Sequence, residues 1–202
     1  MLIRQSRYTP QTGWNPPLPV ELDSEQTLLL IFAARAYGET ANPLSDLEQS
    51  FPLGVKLGCS TAGEIMGAEV FDGGIVVAVI RFNQATLLSG HAAIDSSASS
   101  HATGVQLAKA FPPAALRAIL VLSEGIDVNG SDLVRGLRSG LPAPVVVAGG
   151  LAGDATRFKS TWVLDNNGPR NNQVCAVGLY GTICKLDMAQ VADGAYLASN
   201  GA

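Results

Sequence analysis

The segment Gly58-Cys59-Ser60-Thr61-Ala62-Gly63-Glu64-Ile65 sets a thiol, two hydroxyls and a carboxylate side by side between glycines. Glycine tolerates left-handed backbone and lets another group come close. Ser60 and Thr61 can bond the local backbone or a small polar guest. A second segment, Gly149-Gly150-Leu151-Ala152-Gly153-Asp154, follows the apolar run Val145–Ala148. Both segments leave β-like stretches, and each carries an acid at its end. Open α/β sheets bind ligands beyond the carboxyl ends of their strands. The two segments therefore predict one wall of a ligand pocket. Gly58, Cys59, Ser60, Thr61, Gly63, Glu64, Gly149, Gly150, Gly153 and Asp154 are its candidate contacts, with Glu124 at the rim and Asn129 in a nearby turn.

Each residue also has a purely structural reading. The first segment could be a tight turn that lets a strand and a helix pack. Cys59 becomes a nucleophile only if its pKa falls, and a small buried core residue is the alternative. Glu64 and Asp154 could each meet an amine or cap backbone amides. A carboxylate such as Glu124 is costly to bury unpaired, which places it at a rim rather than in the core. Asn129 suits the turn before Ser131. An enzyme using Cys59 or Ser60 is the rival reading, and a half-domain fragment without independent activity is a third. A nucleophile elbow would read Gly-x-Ser-x-Gly, and neither segment does so; neither carries Gly-x-Gly-x-x-Gly for a dinucleotide. No catalytic or metal residue is assigned.

Bulk properties narrow the class further. The 202 residues carry a net charge of −4, which speaks against nucleic acid, whose phosphates need clustered Lys and Arg. Charged residues make up 15% of the chain, below the roughly 25% of ordinary domains, so a partner or second copy is expected to cover some surface. Cys59, Cys175 and Cys184 are odd in number and lack CxxC spacing, which argues against disulfides or zinc and for a reducing cytoplasm. His91 and His101 are the only histidines. Leu28–Ala34, the longest apolar run, is too short to span a bilayer, and no leader peptide is expected.

These residues need elements to hold them. Residues 1–26 read as a Pro-rich irregular arm. Thr27–Ala33 reads as a strand buried on both faces. A helix should begin at Asn42-Pro43 and end by Pro52, with Leu44, Leu47 and Phe51 on one face. Gly74–Phe82 and Ala85–Ala92 should pair as an antiparallel hairpin around Asn83-Gln84. Helices are expected at Ser96–Phe111 and after an N-cap at Ser131, and strands at Val55–Cys59, Ala118–Ser123, Val145–Gly149, Ser160–Leu164 and Val174–Tyr180. The fold class is α/β: a mixed, mainly antiparallel β-sheet with helices packed on it, as one compact domain.

The pairing of GCSTAGEI with GGLAGD resembles the FIST sensory domain family, in its N-terminal half. Leu28–Ala33, Leu122-Ser123-Glu124-Gly125, Val128-Asn129-Gly130-Ser131, Arg157-Phe158, Thr161–Leu164 and Val177–Gly181 add supporting matches in order. The resemblance implies residues 27–181 as a FIST N-like domain and 182–202 as a divergent tail. It implies a non-catalytic small-ligand sensor of bacterial signal transduction, usually joined to a FIST C-terminal half. WNPPLP near the start and RF…TWVL are similar to the nitric-oxide-sensing haem proteins of NosP type, which implies haem and a partner histidine kinase or cyclic-di-GMP enzyme. Members of that subgroup continue after Gly181 with a His-containing glycine segment ending in Gly-Gly-Trp-Asp. Here the chain reads Thr182-Ile183-Cys184-Lys185-Leu186-Asp187-Met188, with no histidine after His101.

Overall fold

Leu28 and Leu29 are neighbours in the chain, and neither has exposed surface. Successive strand side chains point to opposite faces, so their sheet must be covered on both sides. The computed structural model describes residues 1–39, 42–181, 187–191 and 194–198, and its layers supply both covers. On one face Leu29, Ile31 and Ala33 pack with Leu44, Leu47 and Phe51 of a helical segment. On the other, Leu28, Leu30 and Phe32 pack with Leu122, Cys175 and Val177 of a second sheet. That second sheet turns Ile119, Val121, Val174 and Ala176 outward against Leu107, Leu133 and Leu137 of two further helices. The order of layers is helix, sheet, sheet, helix pair: one mixed α/β domain without a closed barrel.

In chain order the elements are β1 (Leu2–Thr9), β2 (Gly13–Asn15), β3 (Thr27–Ala34), α1 (Asn42–Ser50), β4 (Val55–Thr61), β5 (Glu64–Met66), β6 (Glu69–Phe71), β7 (Ile75–Arg81) and β8 (Ala85–Ala93). Then come α2 (Ser100–Ala108), β9 (Leu116–Ser123), α3 (Gly130–Ser139), β10 (Val146–Leu151), β11 (Val163–Asp165), β12 (Gly168–Arg170), β13 (Gln173–Gly181), β14 (Asp187–Val191) and β15 (Gly194–Ala198). The first sheet runs β12-β11-β4-β3-β7-β1-β2 and the second β10-β9-β13-β8, with small hairpins β5-β6 and β14-β15. Most pairs are antiparallel. Among the described residues the exceptions are β3–β4 and β9–β10, each joined by a helix as a parallel crossover requires.

The helices α2 and α3 cross at very short range because two glycines face each other's backbones. A Cβ on Gly104 would strike the Leu133 carbonyl, and one on Gly136 would strike the His101 carbonyl. Asn129 caps α3, its side-chain oxygen accepting the Asp132 amide at 3.1 Å. This displaces the expected cap at Ser131 by two positions.

Two expectations are corrected. Residues 1–26 are not an irregular arm throughout, since β1 pairs with β7 from Leu2 opposite Arg81 to Tyr8 opposite Ile75, and β2 folds back on β1. Pro10, Pro16, Pro17 and Pro19 fall outside both strands, so they remove no ladder donor. The β7–β8 hairpin also does not form. β7 already has β1 and β3 on its two edges, so Asn83-Gln84 carries the chain across to the second sheet, where β8 pairs with β13. Of the expected divergent tail, residues 182–186 with Cys184 lie outside the described residues, as do 192–193 and 199–202. Among the described residues no helix is long and apolar enough to cross a membrane.

Candidate functional site

The two glycine segments meet, chiefly as strand ends. Gly58–Thr61 complete β4 and Gly149–Leu151 complete β10. Gly153 donates its amide to the Ser60 carbonyl at 2.9 Å, and its α-carbon faces Ala62 so closely that a Cβ would lie 3.1 Å from the Ala62 nitrogen. Gly58 lies against the Ile31 backbone and Gly63 against Asp72.

Polar groups at this junction find partners inside the fold. Ser60 is fully buried; its hydroxyl oxygen accepts the Trp162 amide at 3.1 Å, while its own amide donates to the Trp162 carbonyl. The buried Trp162 ring lies against Gly38, with Nε1 donating to the Arg35 carbonyl at 2.9 Å. Thr61 donates its hydroxyl to Glu64 Oε1 at 2.7 Å, and Gly74 donates its amide to Glu64 Oε2. Burial pushes the Glu64 carboxyl above its ordinary value, against the lowering pull of these bonds. Asp154 gathers the amides of Phe158, Lys159 and Ser160. Those amides, Lys159 foremost, hold its carboxyl below the usual value. Cys59 is a core residue whose thiol burial pushes up to about 12.

A hollow opens beside the second segment, on the outer face of the second sheet. It is a cleft of about 290 Å³ between α3 and the paired ends of β9 and β10. Val121 and Ser123 come from β9, Gly130, Leu133 and Val134 from α3, and Val147 through Leu151 from β10. This is the mouth of a β9-α3-β10 crossover, where strand ends and a helix N-terminus converge. The Gly150 face is open, since a Cβ there would meet nothing within 4 Å. Ser123 is 1% exposed and its hydroxyl has no hydrogen-bond partner. Of the predicted residues, Gly149 and Gly150 line the cleft, Asn129 caps the helix that walls it, and Gly58–Glu64 stand outside it.

Glu124 departs from its expected place at a rim. It is 3% exposed, with Oε2 accepting the Ile126 amide and the Thr161 hydroxyl while Oε1 has no partner. It is absent from the cleft lining. His91 pairs through Nδ1 with the buried Asp165 at 2.9 Å, and His101 is exposed on α2. Sequence reasoning passed over Ser123, Gly130, Leu133, Val134 and Leu151 as contacts. A usable signal was there: Ser123 is the polar residue that closes the apolar run Ala118–Leu122.

Haem does not suit this cleft. Haem iron is held by an axial His, Cys, Met or Tyr, and the lining contains none of these. Among the described residues no group of three or more His, Cys, Asp or Glu gathers to hold a metal.

The layers and cleft define a mixed α/β domain with a small-molecule-sized hollow at a crossover. The FIST N domain model matches residues 27–192, most of the chain, and the chain belongs to that family of sensory domains. No curated protein matches it.

Proposed function

We propose that this chain is the ligand-sensing, non-catalytic half of a bacterial signalling protein and takes a small, largely apolar molecule between α3 and the β9–β10 pair. The observation that carries this reading is the unpartnered hydroxyl of Ser123, a buried residue in the wall of an otherwise apolar cleft. Pockets for small molecules combine an apolar lining with a few placed polar groups. Gly149 and Gly150 give the guest access to backbone, while Ser60, Thr61, Glu64 and Asp154 hold the neighbouring framework. The output is a shift between two packings, read by a FIST C-terminal half, a second copy, or a kinase or cyclic-di-GMP enzyme. Such a shift requires unequal affinity of the ligand for the two states.

The rival enzyme reading has less support. Ser60 spends its oxygen on the Trp162 amide, and a thiol raised to about 12 is a poor nucleophile. The test is amide NMR of the full chain during titration with cyclohexyl methyl ketone, cyclohexanecarboxylate, cyclohexylmethylammonium and methylcyclohexane. Shifts centred on Ser123, Val134, Gly149 and Gly150 are expected for at least one probe. Shifts centred elsewhere, or none, overturn the reading.

A further inference from the structure

The cleft also carries information about the chemistry of its guest, and this step rests on the cleft being the sensory site. Ser123 offers a hydroxyl that no protein atom meets, at a position nine-tenths and more buried. A hydroxyl is one donor and two acceptor positions, and a buried one without a partner is unfavourable. The N-terminus of α3 lies at the same cleft through Gly130. The first amides of a helix have no acceptor within it. At α3 the Asn129 side chain takes the Asp132 amide and the Asn129 carbonyl takes the Leu133 amide, leaving the Gly130 and Ser131 amides without a helical acceptor. Ser131 is exposed and outside the lining, so the Ser123 hydroxyl and the Gly130 amide together call for an acceptor atom on the guest.

Charge decides which acceptor. The lining contains no Lys or Arg. The ionisable groups next to it in the chain are Glu124, Asp127, Asp132 and Arg135, of which Asp132 and Arg135 are paired with each other and leave the two other acids in excess. These carboxylates oppose a full negative charge at the mouth. A cation is opposed by the positive end of α3 and by the lack of any carboxylate in the lining. A neutral oxygen meets neither penalty. The remaining walls, Val121, Leu133, Val134, Val147 and Leu151, suit hydrocarbon. A dry cavity of 150 Å³ holds benzene, so one of about 290 Å³ has room for roughly a dozen non-hydrogen atoms on the same scale.

We infer that the guest is a neutral, mainly hydrocarbon carbonyl compound, its oxygen accepting the Ser123 hydroxyl and the Gly130 amide at the start of α3. The same four cyclohexyl probes share a ring and differ in head group, so their dissociation constants at pH 7 test the point. The ketone is expected to bind at least tenfold more tightly than the carboxylate or the ammonium. Ser123→Ala should weaken the ketone about tenfold and leave methylcyclohexane within twofold. Val134→Trp, which crowds the cleft from α3, should remove binding of all four. A carboxylate or ammonium that binds best overturns the neutral-carbonyl assignment while leaving the cleft reading intact. Equal binding of all head groups, unmoved by Ser123→Ala, also overturns it and gives Ser123 to a water molecule. If no probe binds the wild-type chain, the cleft reading itself falls.

Discussion

The amide of Gly153 and the carbonyl of Ser60 lie 2.9 Å apart in a hydrogen bond, so the two glycine segments are stitched together rather than parted by a guest. Ser60 then passes the connection to Trp162 in both directions, through its amide and its hydroxyl. This junction ties β4 to two points, Gly153 and Trp162, of the segment between β10 and β11. The hollow lies beyond it, against α3.

Two serines with similar burial should respond in opposite ways to loss of their hydroxyls. Ser60→Ala leaves the buried Trp162 amide without its acceptor, which costs about 1–3 kcal/mol. Ser123→Ala removes an oxygen that has no protein partner and should leave stability unchanged or raise it by about 1 kcal/mol. Urea unfolding of both variants checks this, and a Ser60→Ala chain as stable as wild type would contradict the stitched junction.

The acids near the ends of the two segments should give opposite pH slopes. The folded carboxyl of Asp154 is held below its ordinary value of 3.8. Its contribution is therefore full above that value and disappears as pH falls through the lower folded one. Wild type should exceed Asp154→Asn in stability near neutrality, and the gap should narrow on acidification below pH 3.8. Unfolding midpoints measured in steps from neutral to strongly acidic pH would show it.

Glu64 runs the other way. Burial raises its folded carboxyl above the ordinary 4.5. The protonated form is thus favoured in the folded state, and stability from this group is greatest below 4.5 and declines as pH rises through the folded value. Relative to Glu64→Gln, wild type should lose ground between pH 4.5 and neutrality. A pH-independent difference between the two would refute the assignment.

Native alkylation should spare both buried thiols. Cys59 and Cys175 are raised from 9.0 to about 12, so at neutral pH their thiolate fraction is about a thousandfold below that of an ordinary cysteine, before burial adds its own barrier. Peptide mass spectrometry after iodoacetamide should find both residues unlabelled in the native chain and labelled in urea.

Alanine normally favours an exposed helix interior over glycine by about 1 kcal/mol. At Gly136 the sign should reverse, because a Cβ there collides with the His101 carbonyl and forces α2 and α3 apart. Overpacking of this kind costs roughly 1–3 kcal/mol. Gly136→Ala should therefore lower the urea midpoint, and a gain would show that the helix pair has slack.

Strands covered on two faces were the easiest elements to read. TLLLIFA is apolar at every position but its first because one face meets α1 and the other meets the second sheet. That same uniformity hid the partition of the strands. The apolar run of β7 and the alternation of β8 mark both as strands, and neither says that β7 has both edges occupied before β8 begins. β1 escaped notice because Leu2–Gln5 are exposed, so its place comes from ladder bonds to β7 rather than from an apolar pattern. At the site, the shared chemistry of the glycine segments pointed to their meeting. How Ser60 is satisfied depended on Trp162, which is remote in sequence, and the place of the hollow depended on the crossover helix α3. Ser123 looked ordinary because a serine often ends a strand.

In the second sheet β13 lies between β9 and β8, although both of those strands are synthesised earlier. A nascent chain thus carries two bare strand edges until residues 173–181 leave the ribosome. Exposed edges invite pairing with other chains, so translation that stalls before Gln173 should release polypeptide that depends on chaperones, while completion of one late strand closes both edges at once.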